Sequence, residues 1–297
     1  MPRIEMPPNI FGEINTVSDL LNLIKEWNAK NNIPKRGYHS RVWFRGHSKR
    51  SYKLEPGVYR DEFTAQAQTM PGANLENKRL NLEREMLSEF RTAGATLHDP
   101  NHVVALYFTA QHYGMPTRLL DWTGNPLAAL FFAVCENETE HGDVYMMEPT
   151  QVIPPSSPGA KGEPRHVKTM RYPYVADAIG LSYWHKPQEK RQPLILPVRP
   201  DNQVGRIGQQ CSLFTLHMHQ STPKTNPTLA RIKIPAGNKE GLREELFRLN
   251  INQFSIFYDL DHLSKEILRN WDLRPCDAGR QCVRTMTPLT RGNLNPE

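Results

Sequence analysis

Six polar side chains fall within thirteen residues of the stretch QHYGMPTRLLDWTGNP (111–126): Gln111, His112, Thr117, Arg118, Asp121 and Thr123. An imidazole and a carboxylate can hold or move a proton in a reaction. A guanidinium grips phosphate or carboxylate through its forked donors. These groups stand between two apolar runs, HVVALYFTA and LAALFFAV, which read as buried segments. Polar groups gathered at the ends of buried elements are how pockets are built. A second reading needs no chemistry. Arg118 and Asp121 flank two leucines, and a buried Arg–Asp pair can stiffen a loop.

Two further segments carry groups of the same kind. In WFRG (43–46), Arg45 ends a strand, and Gly46 beside it has no side chain to keep a ligand from the backbone. Equally, Arg45 can be structural and paired with a buried acid. In GRIGQQCSLFTLH (205–217), Gln209 and Gln210 lead into a strand. Their amides can hydrogen-bond a ribose or a base edge but cannot act as a base.

Charge adds a partner class. The chain has 37 Lys and Arg against 31 Asp and Glu, a net charge of +6. From Pro34 to Lys53 there are seven cations, among them Arg41, Lys49, Arg50 and Lys53, and no acid, with Tyr38, Trp43, Phe44 and Tyr52 interleaved. Cations bind phosphates and aromatic faces stack on bases, so the mixture suits a nucleic acid or a nucleotide. A solvated basic face around one buried strand is the alternative.

Several classes are excluded or disfavoured. There is no P-loop, no GxGxxG after a strand, no HExxH and no GxSxG. His217 and His219 share a strand face, which reads as polar surface rather than a metal site, and no metal is expected. Cys135, Cys211, Cys276 and Cys282 form no CxxC pair. No apolar run approaches the roughly 20 residues of a membrane helix, and the N-terminal stretch lacks a signal-type apolar core. A cytoplasmic protein with reduced thiols and no membrane partner is expected.

The elements that must position these groups follow from local pattern. VSDLLNLIKEWNAKNN (17–32) has apolar residues at helical spacing, with Thr16 or Ser18 as cap. A strand at SRVWFRG and an irregular YKLEPGVYR come next. Further helices are expected over 75–93 with Gly94 as stop, over 102–113, and from Asn125-Pro126, where Asn caps and Pro fills the first turn. The Met115-Pro116 step breaks the third helix and leaves TRLLD extended. GDVYMMEP, PLILPVRP, SLFTLHMH and LARIKIPAG read as strands, YVADAIGLSYWH as a short helix, and 239–249 and 260–270 as helices. Pro, Ser, Gly and Lys over 149–172 suggest an exposed loop. The order fits one α+β domain with a small, mainly antiparallel sheet, whole or split, surrounded by helices. Residues 1–37 form an N-terminal helical segment, 38–270 the domain, and 271–297 a basic tail.

The chain resembles the FRG domain family. The resemblance rests on WFRG, on YKLEPGVYR (52–60), on AQHYGMPTRLLDWTGNPLAALFFA (110–133), on RIGQQCSLFTLH and on NINQFSIFYDLDHLSKEI (250–267). Members of that family resemble parts of anti-phage and toxin–antitoxin-like loci, which implies a toxin or defence effector with an antitoxin or chaperone as protein partner. More distantly, the chain is similar to ADP-ribosyltransferases of the Arg–Ser–Glu type. That likeness implies an ADP-ribosyltransferase-like fold and NAD as co-substrate. Arg45-Gly46 stands for the first element, Thr123 for the hydroxyl of the second, and RIGQQCSLF for the third, where Gln209 or Gln210 replaces the glutamate.

The roles this implies are as follows. Arg45 and Arg118 hold the diphosphate, with Gly46, Thr117, Thr123 and Gln210 completing the cofactor site. Thr123 and Gln209 hold the nicotinamide ribose. His112 and Asp121 orient or activate the acceptor, with RNA or DNA favoured over protein by the basic segment. An amide cannot offset the positive charge that develops as nicotinamide leaves. Either another acid supplies it, Asp121 being the best candidate, or the chain binds a nucleotide without catalysis. A nuclease or hydrolase using His112 and Asp121 has least support, since no carboxylate set is clustered.

Overall fold

Local signals that the sequence carries strongly become the helices that frame the structure. The computed structural model of the chain describes residues 10–33, 42–96, 103–149, 195–198, 212–217 and 229–271. Helix α1 (Val17–Lys30) starts at a capping box in which Thr16 Oγ1 accepts from the Asp19 amide and the Asp19 carboxylate accepts from the Thr16 amide. Helix α3 (Leu75–Ala93) is capped by Asn74 and stops at Gly94. Helix α4 spans Val103–His112. Helix α5 (Pro126–Val134) is capped by Asn125, whose Oδ1 accepts from the Leu127 amide at 3.0 Å. Helices α6 (Lys239–Arg248) and α8 (Leu260–Asn270) lie where expected. Two short helices were not foreseen, α2 (Asp61–Ala67) and α7 (Gln253–Phe257). None of the described helices is long and apolar enough to cross a membrane.

The sheet is larger than the small one expected. Its seven strands are β1 (Ile10–Glu13), β2 (Trp43–His47), β3 (Leu119–Thr123), β4 (Gly142–Met147), β5 (Ile195–Val198), β6 (Ser212–His217) and β7 (Ala230–Ile234), in the order β1-β7-β4-β2-β3-β6-β5. Among the described residues β1 and β7 run parallel, and the other neighbours are antiparallel. The extra edge strand β1 precedes α1. Val17, Leu20 and Trp27 of that helix belong to the main core cluster, so residues 10–30 share the core of the domain. The helix read over 174–185, most of the 149–172 loop and the tail beyond Trp271 lie outside the described residues.

Two features of the sheet decide where a site can form. First, β2 pairs with β4 over five residues but with β3 at one position, Phe44↔Thr123. The sheet opens between β2 and β3 beyond that point. Second, alternation along β2 sorts its side chains. Phe44 packs in the cluster under α5, while Trp43 packs on the opposite face with Leu120, Trp122, Tyr145 and Met147. Gly46 follows Phe44 onto the α5 side. A Cβ there would lie 1.9 Å from the Ala129 carbonyl oxygen of α5, so helix and strand touch backbone to backbone. Gly46 is therefore filled by protein rather than left open for a ligand.

Buried polar clusters lock the margins of this gap. Glu83 of α3 accepts from the Arg118 amide (2.9 Å), the Arg118 Nε (2.7 Å) and the Tyr107 hydroxyl of α4 (2.5 Å). All three residues are buried. The Arg118–Asp121 pair read as possible from the sequence does not form. Residues three apart on extended chain point to opposite faces, and Arg118 instead reaches an acid 35 positions away. On the other margin, buried Lys239 Nζ donates to the carbonyls of Ser48, Glu136 and Asn137 at 2.7–3.0 Å. It ties the end of β2 to the end of α5.

Removing one partner of a buried ion pair leaves the other charge uncompensated. Glu83→Ala is expected to lower the unfolding free energy by about 3–5 kcal/mol. Asp121→Ala, at an exposed position three residues beyond Arg118, is expected to cost less than about 1 kcal/mol. Urea denaturation of the two variants measures the contrast.

Candidate functional site

The opening between β2 and β3 is the mouth of a cleft of about 1060 Å³. Its walls come from the ends of β2 and β3, from the segment between Ser51 and Asp61, from the last turns of α4 and α5, and from α7 and α8.

Arg45 spans the gap. Its Nη1 donates to the Asp121 carbonyl oxygen at 2.7 Å and lies 3.7 Å from the Asp121 carboxylate. Its Nε donates to His47 Nε2 at 2.9 Å. The guanidinium thus provides the cross-strand bonding that the parted backbones do not. Burial lowers its pKa from the ordinary value, and Asp121 opposes that shift. Asp121 also accepts from Gln111 Nε2 at 2.9 Å, and Gln111 Oε1 accepts from the Thr117 hydroxyl at 2.5 Å. The hydroxyl in turn accepts from the Leu119 amide.

His47 is buried beside this guanidinium. Burial first, and the Arg45 charge second, push its pKa well below the ordinary range, while the Tyr52 backbone pulls the other way. Accepting from Arg45 at Nε2 places the proton of the neutral ring on Nδ1. That Nδ1 is shielded from water; the Tyr52 backbone acts on the ring, but no well-formed hydrogen bond to Nδ1 exists among the described residues. Glu55 carries a second such atom. Its side chain is 4% exposed, Oε1 lies 3.8 Å from Lys53 Nζ, and Oε2 has no partner. Desolvation raises the Glu55 pKa, with Lys53 acting against it.

The wall from α7 and α8 adds a histidine held by an acid. His262 Nδ1 is 2.7 Å and 2.8 Å from the two Asp259 oxygens, and its ring stacks on Phe257 with centroids 4.1 Å apart. Asp259 Oδ1 also accepts from the His262 amide at 2.7 Å, capping α8. Asp259, Asp261 and His262 bring possible ligand atoms within 4.8 Å of one another. Asp259 is committed to the cap and the ring, and Asp261 to Lys265 at 2.6 Å, so the cluster is already satisfied without an ion.

The structure divides the residues singled out by sequence. Arg45, Gly46, Lys53, His112, Asp121 and Thr123 line the cleft. Thr123 Oγ1 accepts from the Asn125 amide and shapes the turn into α5. Thr117 and Arg118 do not line it: Thr117 is fully buried against Gln111, and Arg118 is bound to Glu83. Lys49 and Arg50 follow β2 and stand outside the cleft wall. Arg41, Gln209 and Gln210 lie outside the described residues. Sequence reasoning missed Glu55, Arg60, His262 and Lys265, which also line the cleft. Their motifs, YKLEPGVYR and DLDHLSK, were visible, but nothing local showed that they converge on Arg45.

Residues 40–142 match the family model described as FRG domain. That segment, about a third of the chain, resembles the FRG domain. No curated protein and no solved structure matches the chain. The FRG match takes in β2, β3 and α2–α5, and with them Arg45, His47, Glu55 and Asp121. His262 and Lys265 lie beyond it, so the chain outside the FRG match completes the cleft.

A depressed histidine makes stability depend on acid. The ordinary value is 6.5. Below it, the unfolded chain takes up a proton that folded His47 refuses, so the unfolding free energy falls as pH drops, by up to about 1.4 kcal/mol per pH unit for this one group. His47→Gln is expected to flatten that slope. Nitrogen-15 NMR of the wild-type ring should show the Nδ1-protonated neutral form at pH 6, and an imidazolium signal there would contradict it.

Proposed function

We propose that the cleft binds NAD and that the protein transfers ADP-ribose from it to an acceptor, RNA or DNA in preference to protein, as a toxin or anti-phage effector. The observation that carries this reading is buried Glu55 Oε2, without a partner among the described residues, in a cleft also lined by His47, Arg45, Lys53, Arg60 and Lys265. Buried polar groups without partners are costly and await something that satisfies them. A dinucleotide offers two phosphates for the cations, ribose hydroxyls for the carboxylate and imidazole, and flat rings for Tyr52 and Phe257. The cleft's volume lies just above the roughly 300–1,000 Å³ typical of small-molecule sites.

When bound, NAD supplies the ADP-ribosyl group through its labile ribose–nicotinamide bond. The chain's own residues do the rest. Arg45 uses Nε and Nη1 within the protein, which leaves Nη2 for a phosphate oxygen. Arg60, exposed on the rim, adds a second cation. Asp121, steadied by Arg45 and Gln111, and His112 at the end of α4 orient the acceptor. Supporting the reading from sequence is the order of Arg45-Gly46, Thr123 and the 206–214 segment along the chain.

The test is transfer of label from adenylate-labelled NAD to RNA, DNA or protein by the purified full chain. Arg45→Lys keeps the charge but loses the fork. It is expected to weaken NAD binding about 10- to 100-fold, the worth of a charged hydrogen bond. Binding without transfer or nicotinamide release would reduce the cleft to a recognition module. Absence of binding would sink the reading.

A further inference from the structure

The reaction proposed above needs a negative group where positive charge develops on the ribose, and four acids line the cleft: Glu55, Asp61, Asp121 and Glu136. The Asp61 side chain is 93% exposed, and Asp121 is 52% exposed with Gln111 and Arg45 already on it. Glu136 is exposed. A carboxylate in open water offsets little charge, because solvent screens it. Glu55 differs from the other three. It is buried, it touches one cation through Oε1, and its Oε2 has no partner. Its backbone is pinned on both sides. Leu54 is buried in the cluster beneath Trp43, and Pro56 restricts the residue before it to extended conformations. A fixed, desolvated charge of this kind stabilises a developing cation without reorganising.

We propose that Glu55 is the catalytic carboxylate of this cleft, facing the nicotinamide ribose and offsetting the charge that develops as nicotinamide leaves. The proposal rests on the reading of the cleft as an NAD site. It places the acid in the segment after β2 and not in the 205–211 segment, so glutamine at 209 and 210 no longer argues against catalysis. In the step, the bond between ribose C1′ and the nicotinamide nitrogen breaks, and its electron pair leaves with neutral nicotinamide. A lone pair of the acceptor, a nucleic acid group or water, forms the new bond to C1′, and its proton passes to solvent. Glu55 forms no covalent bond and carries the same charge before and after.

The experiment uses the full chain and NAD, with nicotinamide release and equilibrium NAD binding read separately. Glu55→Gln keeps shape and removes charge. It is expected to bind NAD within about threefold of wild type, to keep its melting temperature within a few degrees, and to release nicotinamide about 100- to 1,000-fold more slowly. Glu85→Gln, a change on the exposed side of α3 outside the cleft, is expected to leave release within about threefold. If Glu55→Gln does not fold, Glu55→Asp keeps the charge but withdraws it by one methylene; slowing of about tenfold or more with binding retained supports the assignment, and a wild-type rate overturns it. Wild-type release in Glu55→Gln also overturns it, as does loss of release in Asp121→Asn but not in Glu55→Gln. A wild-type chain that neither binds nor cleaves NAD removes the NAD reading first, and this assignment with it.

Discussion

Everything about the cleft depends on the single backbone pair, Phe44↔Thr123, that joins β2 to β3. Two central strands that paired along their length would leave no room for a ligand and no task for Arg45. Because they part, the Arg45 guanidinium has to bond across the gap, to the Asp121 carbonyl on one side and His47 on the other. Burial then depresses both neighbours for a shared reason: each would carry its charge in a space with little water. The arginine keeps its charge because its ordinary pKa is so high, while the histidine yields.

An open sheet needs its margins held, and the sequence provides a different device for each. The β2 margin is held by close approach. Gly46 lets the α5 backbone settle onto the strand, and Lys239 ties the two ends through three carbonyls. The β3 margin is held by charge, with Glu83 taking the Arg118 side chain and amide together with the Tyr107 hydroxyl. One consequence is that a single polar motif serves two purposes. Thr117 and Arg118 face protein and fix the strand, whereas Asp121 and Thr123 face the cleft.

What the sequence made legible was whatever local chemistry decides. Helix α3 could be read end to end, since Asn74 and Gly94 bracket an uninterrupted pattern, and α5 was announced by Asn125-Pro126. Strand β1 could not be read, because four residues with both ends exposed carry no alternation worth noting. Its strand character comes from pairing with β7, more than two hundred residues away. The partner of Arg118 was hidden for the same reason, and Asp121 was the nearer but geometrically impossible choice. Glu55 was visible as a letter in a motif. Its distinction, burial with an unmatched oxygen, exists only once Lys53, Leu54 and Pro56 are folded around it.

The composition of the cleft also explains why the FRG match stops short of the whole site. Segments within the match supply the parted strands, the bridging arginine and the buried acid. The chain beyond it supplies α7 and α8, with Gln253, Phe257, His262 and Lys265 on the opposite wall. The first set is bound into the core and cannot change without disturbing the sheet. The second stands on two short helices at its margin, where α8 leaves Leu260 and Ile267 largely exposed and the fold constrains side chains less. A wall so placed can vary in what it presents while the buried floor stays the same. The floor that carries Arg45 and Glu55 is therefore the constrained part of the cleft, and the α7–α8 wall with the cationic rim is the part free to differ.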